Sequence, residues 1–298
     1  MTTLPNSSDV VAAFRAAVES LNGPIPGELL ADGQLHRFRT EQDKRGSQSG
    51  WYVLFLDGVP SGSYGNWKTG VQESWCSVDR STLSPEERAA MAERVRQQQA
   101  QARKQRKEKQ ALVAMKVKTW WHWANPADPH HTYLQTKKVE SYGLRQDKHD
   151  GALLVPLVDG ESLVNLQRIY PDGKKRFVAG GRITGCYSAL GGADGPLYVC
   201  EGWATGATIH ALTGAAVACA MNCGNLRPVA ESLRKRHGDR MLIIAGDNDR
   251  FTDGNPGKSA AIEAAKAVGG EWMVPDFPDG LPGTDYNDRY LLELEGRL

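Results

Sequence analysis

The amino-acid sequence predicts an α/β protein. Its C-terminal part is a four-stranded parallel sheet flanked by helices, preceded by a small basic α+β subdomain, a long helix or linker and an N-terminal α+β module. Three observations lead there. From Leu197 onward, short apolar runs alternate with helical segments of about 10–12 residues, the pattern of parallel βαβ units. Residues 94–110 are almost wholly polar and cannot bury a face. Asp159-Gly160 and Pro171-Asp172-Gly173 punctuate residues 153–177 as an antiparallel meander would require.

Composition sets the outer limits. Hydrophobic residues make up 40% of the 298, enough for a sizeable core. A net charge of +1 means that any affinity for polyanions must come from local patches. Cys76, Cys186, Cys200, Cys219 and Cys223 offer only one close pair, with no His at ligand spacing, so a zinc site is not expected and reduced cytosolic thiols are. The first residues lack a secretory signal, and no run approaches the roughly 18 apolar residues that span a membrane. These features predict a cytoplasmic protein with no membrane partner.

Four regions are expected: 1–78, 79–124, 125–195 and 196–298. The first opens with a helix over Asp9–Leu21, apolar at Val10, Val11, Phe14 and Val18, and ended by Pro24 and Pro26. Trp51 to Leu56 reads as a buried strand, Asp57-Gly58 as a hairpin turn, and Tyr64 to Trp75 as further short strands. These aromatics either pack a core or form a stacking surface for single-stranded nucleic acid. In the second region, Ser84-Pro85-Glu86-Glu87 starts a long helix, with a capping Ser, Pro at the first turn and acids at the positive end of the dipole. Its cluster Arg103, Lys104, Arg106, Lys107 and Lys109 is a solvated face or a set of phosphate contacts. Trp120, Trp121 and Trp123 suggest docking onto the next domain. The third region carries Arg168, Lys174, Lys175, Arg176 and Arg182 on the tips and one face of the meander.

The fourth region carries the chemistry. Its strands are read as Leu197–Cys200, Ala215–Cys219, Met241–Ala245 and Glu271–Val274. Working loops in parallel sheets follow the carboxyl ends of the strands. There the sequence has Glu201-Gly202, then Gly246-Asp247-Asn248-Asp249, then Gly283-Thr284-Asp285-Tyr286-Asn287-Asp288. Three acidic loops thereby converge on one edge. Clustered carboxylates repel, and a hard cation such as magnesium, with open positions for phosphate oxygens, relieves that cost. Asn255-Pro256-Gly257-Lys258-Ser259 ends like a phosphate loop but lacks its upstream Gly and preceding strand, so it reads as a helix start.

This arrangement resembles the Toprim domain, a Rossmann-like sheet whose hallmark is Glu-Gly after the first strand and Asp-x-Asp after a later one. Here these are Glu201-Gly202 and Asp247-Asn248-Asp249. The resemblance implies that Glu201 acts as general acid or base or helps position metal, and that Asp247 and Asp249 bind Mg2+ (or Mn2+). Asp285 and Asp288 look like the further acidic motif of primase Toprim domains and would be supplementary ligands. Upstream, Asn165-Leu166-Gln167-Arg168, Lys174-Lys175-Arg176-Phe177 and Gly180-Gly181-Arg182 resemble the basic subdomain of bacterial-type primases. His131-Thr132-Tyr133-Leu134 and Glu201-Gly202-Trp203-Ala204-Thr205-Gly206 resemble phage and conjugative-plasmid primases. What the resemblance implies is a DNA primase of a phage or plasmid, a nucleotidyltransferase taking single-stranded DNA template and nucleoside triphosphates, with a separately encoded helicase as a further partner. A Toprim nuclease and a non-catalytic nucleic-acid-binding Toprim protein are the alternatives.

Overall fold

A computed structural model of the chain describes residues 6–79, 81, 83–192 and 194–298. It contains two compact units, residues 1–103 and 104–298.

The first unit pairs one helix with one sheet. Helix α1 (Ser7–Asn22) is followed by strands β1 (His36–Phe38), β2 (Gly50–Phe55), β3 (Ser61–Asn66) and β4 (Gln72–Cys76), which form an antiparallel meander in that order. The β2–β3 hairpin turns through Asp57-Gly58, with Gly58 in the left-handed region at φ 64°. Alternation along the strands sends Phe38, Tyr52, Leu54 and Tyr64 toward α1. There Phe14, 0% exposed, meets Tyr52, Tyr64 and Trp75 edge-on at centroid distances of 6.2, 5.9 and 5.4 Å.

Helix α2 (Pro85–Trp123) belongs to both units. Its start is a capping box: Glu87 N–H donates to Ser84 Oγ at 3.1 Å, and Ser84 N–H donates to Glu87 Oε2 at 2.8 Å. The polar run 103–109 is exposed throughout. Further along, Val117, Trp120 and Trp121 pack on the next sheet, as expected for docking. Trp123 does not join them and is 67% exposed, because the helix ends there and turns it outward.

The second unit holds two five-stranded sheets. One is an antiparallel meander of β5 (Asn125–Pro126), β6 (Arg145–Gln146), β7 (Leu153–Asp159), β8 (Ser162–Ile169) and β9 (Lys175–Phe177), with helix α3 (Thr132–Lys137) between its first two strands. The other contains β10 (Ser188–Leu190), β11 (Leu197–Cys200), β12 (Ala216–Cys219), β13 (Leu242–Ala245) and β14 (Glu271–Met273) in the order β10-β12-β11-β13-β14. Four of these strands run parallel, as the sequence predicts. The fifth, β10, is an antiparallel edge strand drawn from residues placed upstream by sequence, and its three residues are too few to show a period.

Helices α4 (Trp203–Thr213), α5 (Leu226–His237), α6 (Pro256–Val268) and α7 (Tyr286–Leu294) complete the unit. Alternating residues of the central strands divide between two cores. Leu197 and Val199 face Val229, Leu233, Ala261 and Ala265 of α5 and α6. Cys200 and Cys219 face Trp203, Ala207, Tyr133 and Leu153. Helix α4 lies so close to the sheet that a methyl group at Gly206 would stand 2.3 Å from Cys219 Sγ and 3.1 Å from Cys200 Sγ. Gly206→Ala should therefore overpack this contact and destabilise the second unit by about 1–3 kcal/mol, read as a lowered midpoint in urea denaturation. An unchanged midpoint would mean that α4 can lift off the strands freely.

Candidate active site

The strand order dictates where a site forms. From β11 the chain passes to β12 on one side, then crosses back to β13 on the other. The crevice beyond the carboxyl ends of β11 and β13 is thus the topological switch point of the sheet. Cys200 and Ala245 are register partners, so Glu201 and the Gly246-Asp247 turn leave the sheet at the same level. Gly246 is needed there because an added methyl would lie 2.6 Å from Ala261 Cβ and 2.8 Å from Gly257 O, where α6 closes on the turn.

Each loop is pinned by its own hydrogen bonds. Asp247 N–H donates to Glu201 Oε1 at 3.3 Å, and Gly257 N–H, in the first turn of α6, donates to Asp249 Oδ2 at 2.9 Å. Between them Asn248 faces away: its N–H donates to Thr284 O at 2.7 Å and its side chain to Pro275 O at 2.9 Å. The Arg250 guanidinium sits 4.9 Å from the Phe277 ring centre and donates to Phe277 O and Leu281 O. These contacts hold the loop after β14 against the Asp247 turn.

Asp285 and Asp288 close the α7 entrance reciprocally. Asp285 Oδ1 accepts Asp288 N–H at 2.8 Å as the helix cap, and Asp288 Oδ2 accepts Thr284 N–H at 3.1 Å. Asp288 also pairs with Lys137 Nζ at 3.3 Å. Both carboxylates thus have structural bonds to lose before either could bind an ion. Lys137 was not identified from the sequence, because the pair Lys137-Lys138 at the end of a short helical segment carries no spacing signal. Asn287, 0% exposed, fixes its position by donating to Lys137 O at 2.7 Å and Thr208 Oγ1 at 2.9 Å.

Electrostatics marks the crevice. Burial, then the charges of Glu201, Asp285, Asp249 and Asp288, push the Asp247 carboxyl up to about 8. Burial, opposed by the Asp247 N–H and reinforced by Asp249 and Asp285, raises Glu201 to about 6. Asp285 is raised as well, by burial and by Asp288. Asp247 Oδ1 is buried with no hydrogen-bond partner.

These observations fit a cation. A methyl group built on Gly257 would lie 2.9 Å from Glu201 Oε1 and 3.0 Å from Asp249 Oδ2, so two carboxylate oxygens border one small space that a larger residue would fill. The donor set is oxygen only, as magnesium prefers. Among the described residues, no three His, Cys, Asp or Glu side chains are gathered closely enough to hold a metal ion as they stand. Without a cation the carboxylates repel: Glu201, Asp249, Asp285 and Asp288 accept backbone N–H groups and Asp288 also pairs with Lys137, while Asp247 Oδ1 has no partner.

The expected basic residues divide in two. Arg168 is committed to structure: it pairs with Asp147 at 3.0 Å and Asp150 at 2.5 Å and lies over the Trp120 and Tyr170 rings. Lys174 pairs with Asp172 at 2.6 Å, and Arg182 pairs with Asp159 at 2.6 Å beside Arg236. Arg176 is exposed with no ion pair among the described residues. Lys175 is exposed, and its ammonium lies 5.4 Å from the Tyr133 ring centre. Lost hydration and the neighbouring Lys137 lower its pKa; Asp285 and Asp247 act the other way. Lys175 and Lys137 therefore face the acidic crevice.

A pH dependence follows. Asp247 and Glu201 are raised above their unfolded values, so the folded state binds more protons between about pH 4 and 8. Metal-free stability should be greatest below about pH 4 and fall as pH rises through about 6 and then about 8. Magnesium should consequently raise Tm more at pH 8 than at pH 6, where it must displace protons. Calorimetry at both pH values checks this, and equal magnesium shifts would refute it.

Comparison with known proteins accords with this geometry. Residues 196–295 match the Toprim domain family. The chain is 36% identical over 308 aligned positions to a DNA primase TraC from Escherichia coli, covering 96% of this chain and 29% of that protein. To a second E. coli DNA primase TraC it is 34% identical over 259 positions, covering 83% and 18%. It thus spans less than a third of the length of these relatives. Among solved structures, the DnaG catalytic core aligns with a TM-score of 0.42 at 13% identity, covering 62% of this chain and 76% of that one. A chain of the bacteriophage T7 lagging-strand DNA polymerase complex with gp4 primase domains aligns with a TM-score of 0.39 at 15% identity, covering 55% and 81%. Residues 196–295 are a Toprim domain, and the chain is, over most of its length, a homologue of the TraC DNA primases.

Proposed function

We propose that the chain is the catalytic part of a phage or plasmid DNA primase that makes short primers on single-stranded DNA by magnesium-dependent nucleotidyl transfer. The observation that carries this reading is the buried, unpartnered Oδ1 of Asp247 beside Glu201 at the switch point of a Toprim sheet. Asp247 and Asp249 would hold the ion, with Glu201 beside them and Asp285 and Asp288 as outer support. Bound magnesium, or manganese in its place, supplies Lewis-acid stabilisation of the reacting phosphoryl group.

The chain's own residues do the rest. Glu201, poised near neutral pH, accepts the proton of the primer 3′-hydroxyl as that oxygen bonds to the α-phosphorus and pyrophosphate leaves. Lys175, turned toward the crevice, offers positive charge to the nucleotide phosphates. Arg176, exposed one residue on, offers it to the template backbone, positioning without reading sequence. The substrates are nucleoside triphosphates and a single-stranded template in the cytoplasm, with a separately encoded helicase as partner. A nuclease would make little use of cations aligned ahead of the sheet. A purely binding protein would be weakened by carboxylates facing phosphate.

Incubation with labelled nucleotides, magnesium and a single-stranded template tests the proposal. The expected product is a set of new short oligomers; shortened template would indicate the nuclease instead. Asp247→Asn and Asp249→Asn should each reduce synthesis at least 1000-fold, on the order of a lost electrostatic contact in the transition state. Both should stay folded, and Asp247→Asn should raise metal-free stability at pH 8 by about 1 kcal/mol, since a buried charge disappears. Normal synthesis by either variant would remove these acids from the mechanism.

A further inference from the structure

The first unit carries a second constellation that the acidic crevice does not use. Register pairs Arg37 with Trp51 and Trp51 with Gly65, placing them on the sheet face opposite the α1 core. Trp67, two residues after Gly65, extends that row. Gly65 leaves the room: a methyl there would stand 2.8 Å from the Trp51 ring. The Trp51 and Trp67 rings stack at 5.9 Å with 23° between their planes, and the Arg37 guanidinium lies 4.5 Å from the Trp67 ring centre. Trp51 is 9% exposed and Trp67 49%, so the inner ring backs an outer ring with an open edge.

A cavity adjoins this stack, lined by Arg37, Lys44, Ser47, Gln48, Trp67 and Lys68. One carboxylate, Asp43, also lines it, but its charge is turned inward. Asp43 Oδ2 accepts Thr40 N–H at 3.0 Å, Ser49 N–H at 2.8 Å and Ser49 Oγ–H at 2.9 Å, and the residue is 7% exposed. Those bonds, the Ser49 N–H foremost, hold its pKa well below the usual carboxylate range. They also fix the 43–49 loop as one wall. Lys68 also lines it, its Nζ donating to Gln42 O at 2.6 Å, and Lys44 is exposed. The cavity therefore presents a half-open indole, a guanidinium and two ammonium groups.

We propose that this cavity is a second, separate binding site for single-stranded nucleic acid, in which a base stacks on Trp67 while Arg37, Lys44 and Lys68 contact the flanking phosphates. Stacking on an indole tolerates any base, and point cations track a backbone without selecting sequence. Duplex DNA fits poorly because its bases are already stacked on one another. The site goes beyond the proposed polymerisation and does not depend on it.

The test uses the full 298-residue chain and a twelve-nucleotide oligodeoxythymidylate bearing 5-iododeoxyuridine, with photocrosslinks mapped by peptide mass spectrometry and affinity read by fluorescence anisotropy. Crosslinking at Trp67 is expected, with about tenfold weaker binding for Trp67→Ala and near-wild-type binding for Trp67→Phe. Lys44→Ala with Lys68→Ala, both exposed, should leave the unit folded and reduce the log–log salt slope by about 1.4. Crosslinks confined to residues 104–298, together with a change of less than twofold in Trp67→Ala and an unchanged slope in the lysine pair, would overturn the proposal. Competition by thymidine triphosphate as effective as by the oligomer would also overturn it, since a mononucleotide site needs no strand. Primer synthesis measured in parallel separates the two readings: at saturating template Trp67→Ala should still extend primers, whereas Asp247→Asn should keep the Trp67 crosslink.

Discussion

Negative charge gathered at the carboxyl edge of one sheet, with Asp247 left unpaired, is the constraint on which the second unit depends. Asp247, with its Oδ1 buried, interacts with the charges of Glu201 and Asp285, and no lysine or arginine pairs with it among the described residues. Such a cluster splays apart unless its backbone is held. The holding is visible in the Arg250 clamp on residues 277–281, in the bonds from Asn248 to Thr284 and Pro275, and in the reciprocal bonds of Asp285 and Asp288. The scaffold therefore fixes the main chain of three loops while leaving the Asp247 side chain unsatisfied, the arrangement expected of a site completed by a cation.

The cations show the complementary logic. A folded chain cannot leave a large cation half-buried without a partner. Arg168 accordingly became the hub of a structural network of Asp147, Asp150, Trp120 and Tyr170, which ties β8 to the end of α2. Arg182 and Arg236 share Asp159 for the same reason. What remains directed at the crevice is Lys175, and Lys137 held in place through Asn287 and Asp288. The α3 turn, which supplies both Lys137 and the Tyr133 ring beneath Lys175, couples the antiparallel sheet to the acidic loops.

The first unit applies one period-two rule to two ends. The inward aromatics Tyr52, Tyr64 and Phe38 close on Phe14, so core packing accounts for them. The outward row of Arg37, Trp51 and Trp67 is not consumed by that core. The aromatics of this unit are thus divided by strand face.

The sequence by itself determined the parallel sheet, the order of its strands and helices, and the acidic character of the loops. Each of these is local: alternating apolar runs, caps such as Ser84 with Glu87, and carboxylates directly after strands can be read within a window of about ten residues. It did not reveal β10, which has only three residues and owes its strand form to pairing with β12. Nor did it separate Arg168 from Lys175, two cations in one meander, because their roles depend on whether an aspartate lies within reach across the fold. Lys137 and the inward turn of Asp43 were invisible for the same reason. Which charges are neutralised and which are left exposed is a matter of long-range proximity, and only the tertiary structure decided it.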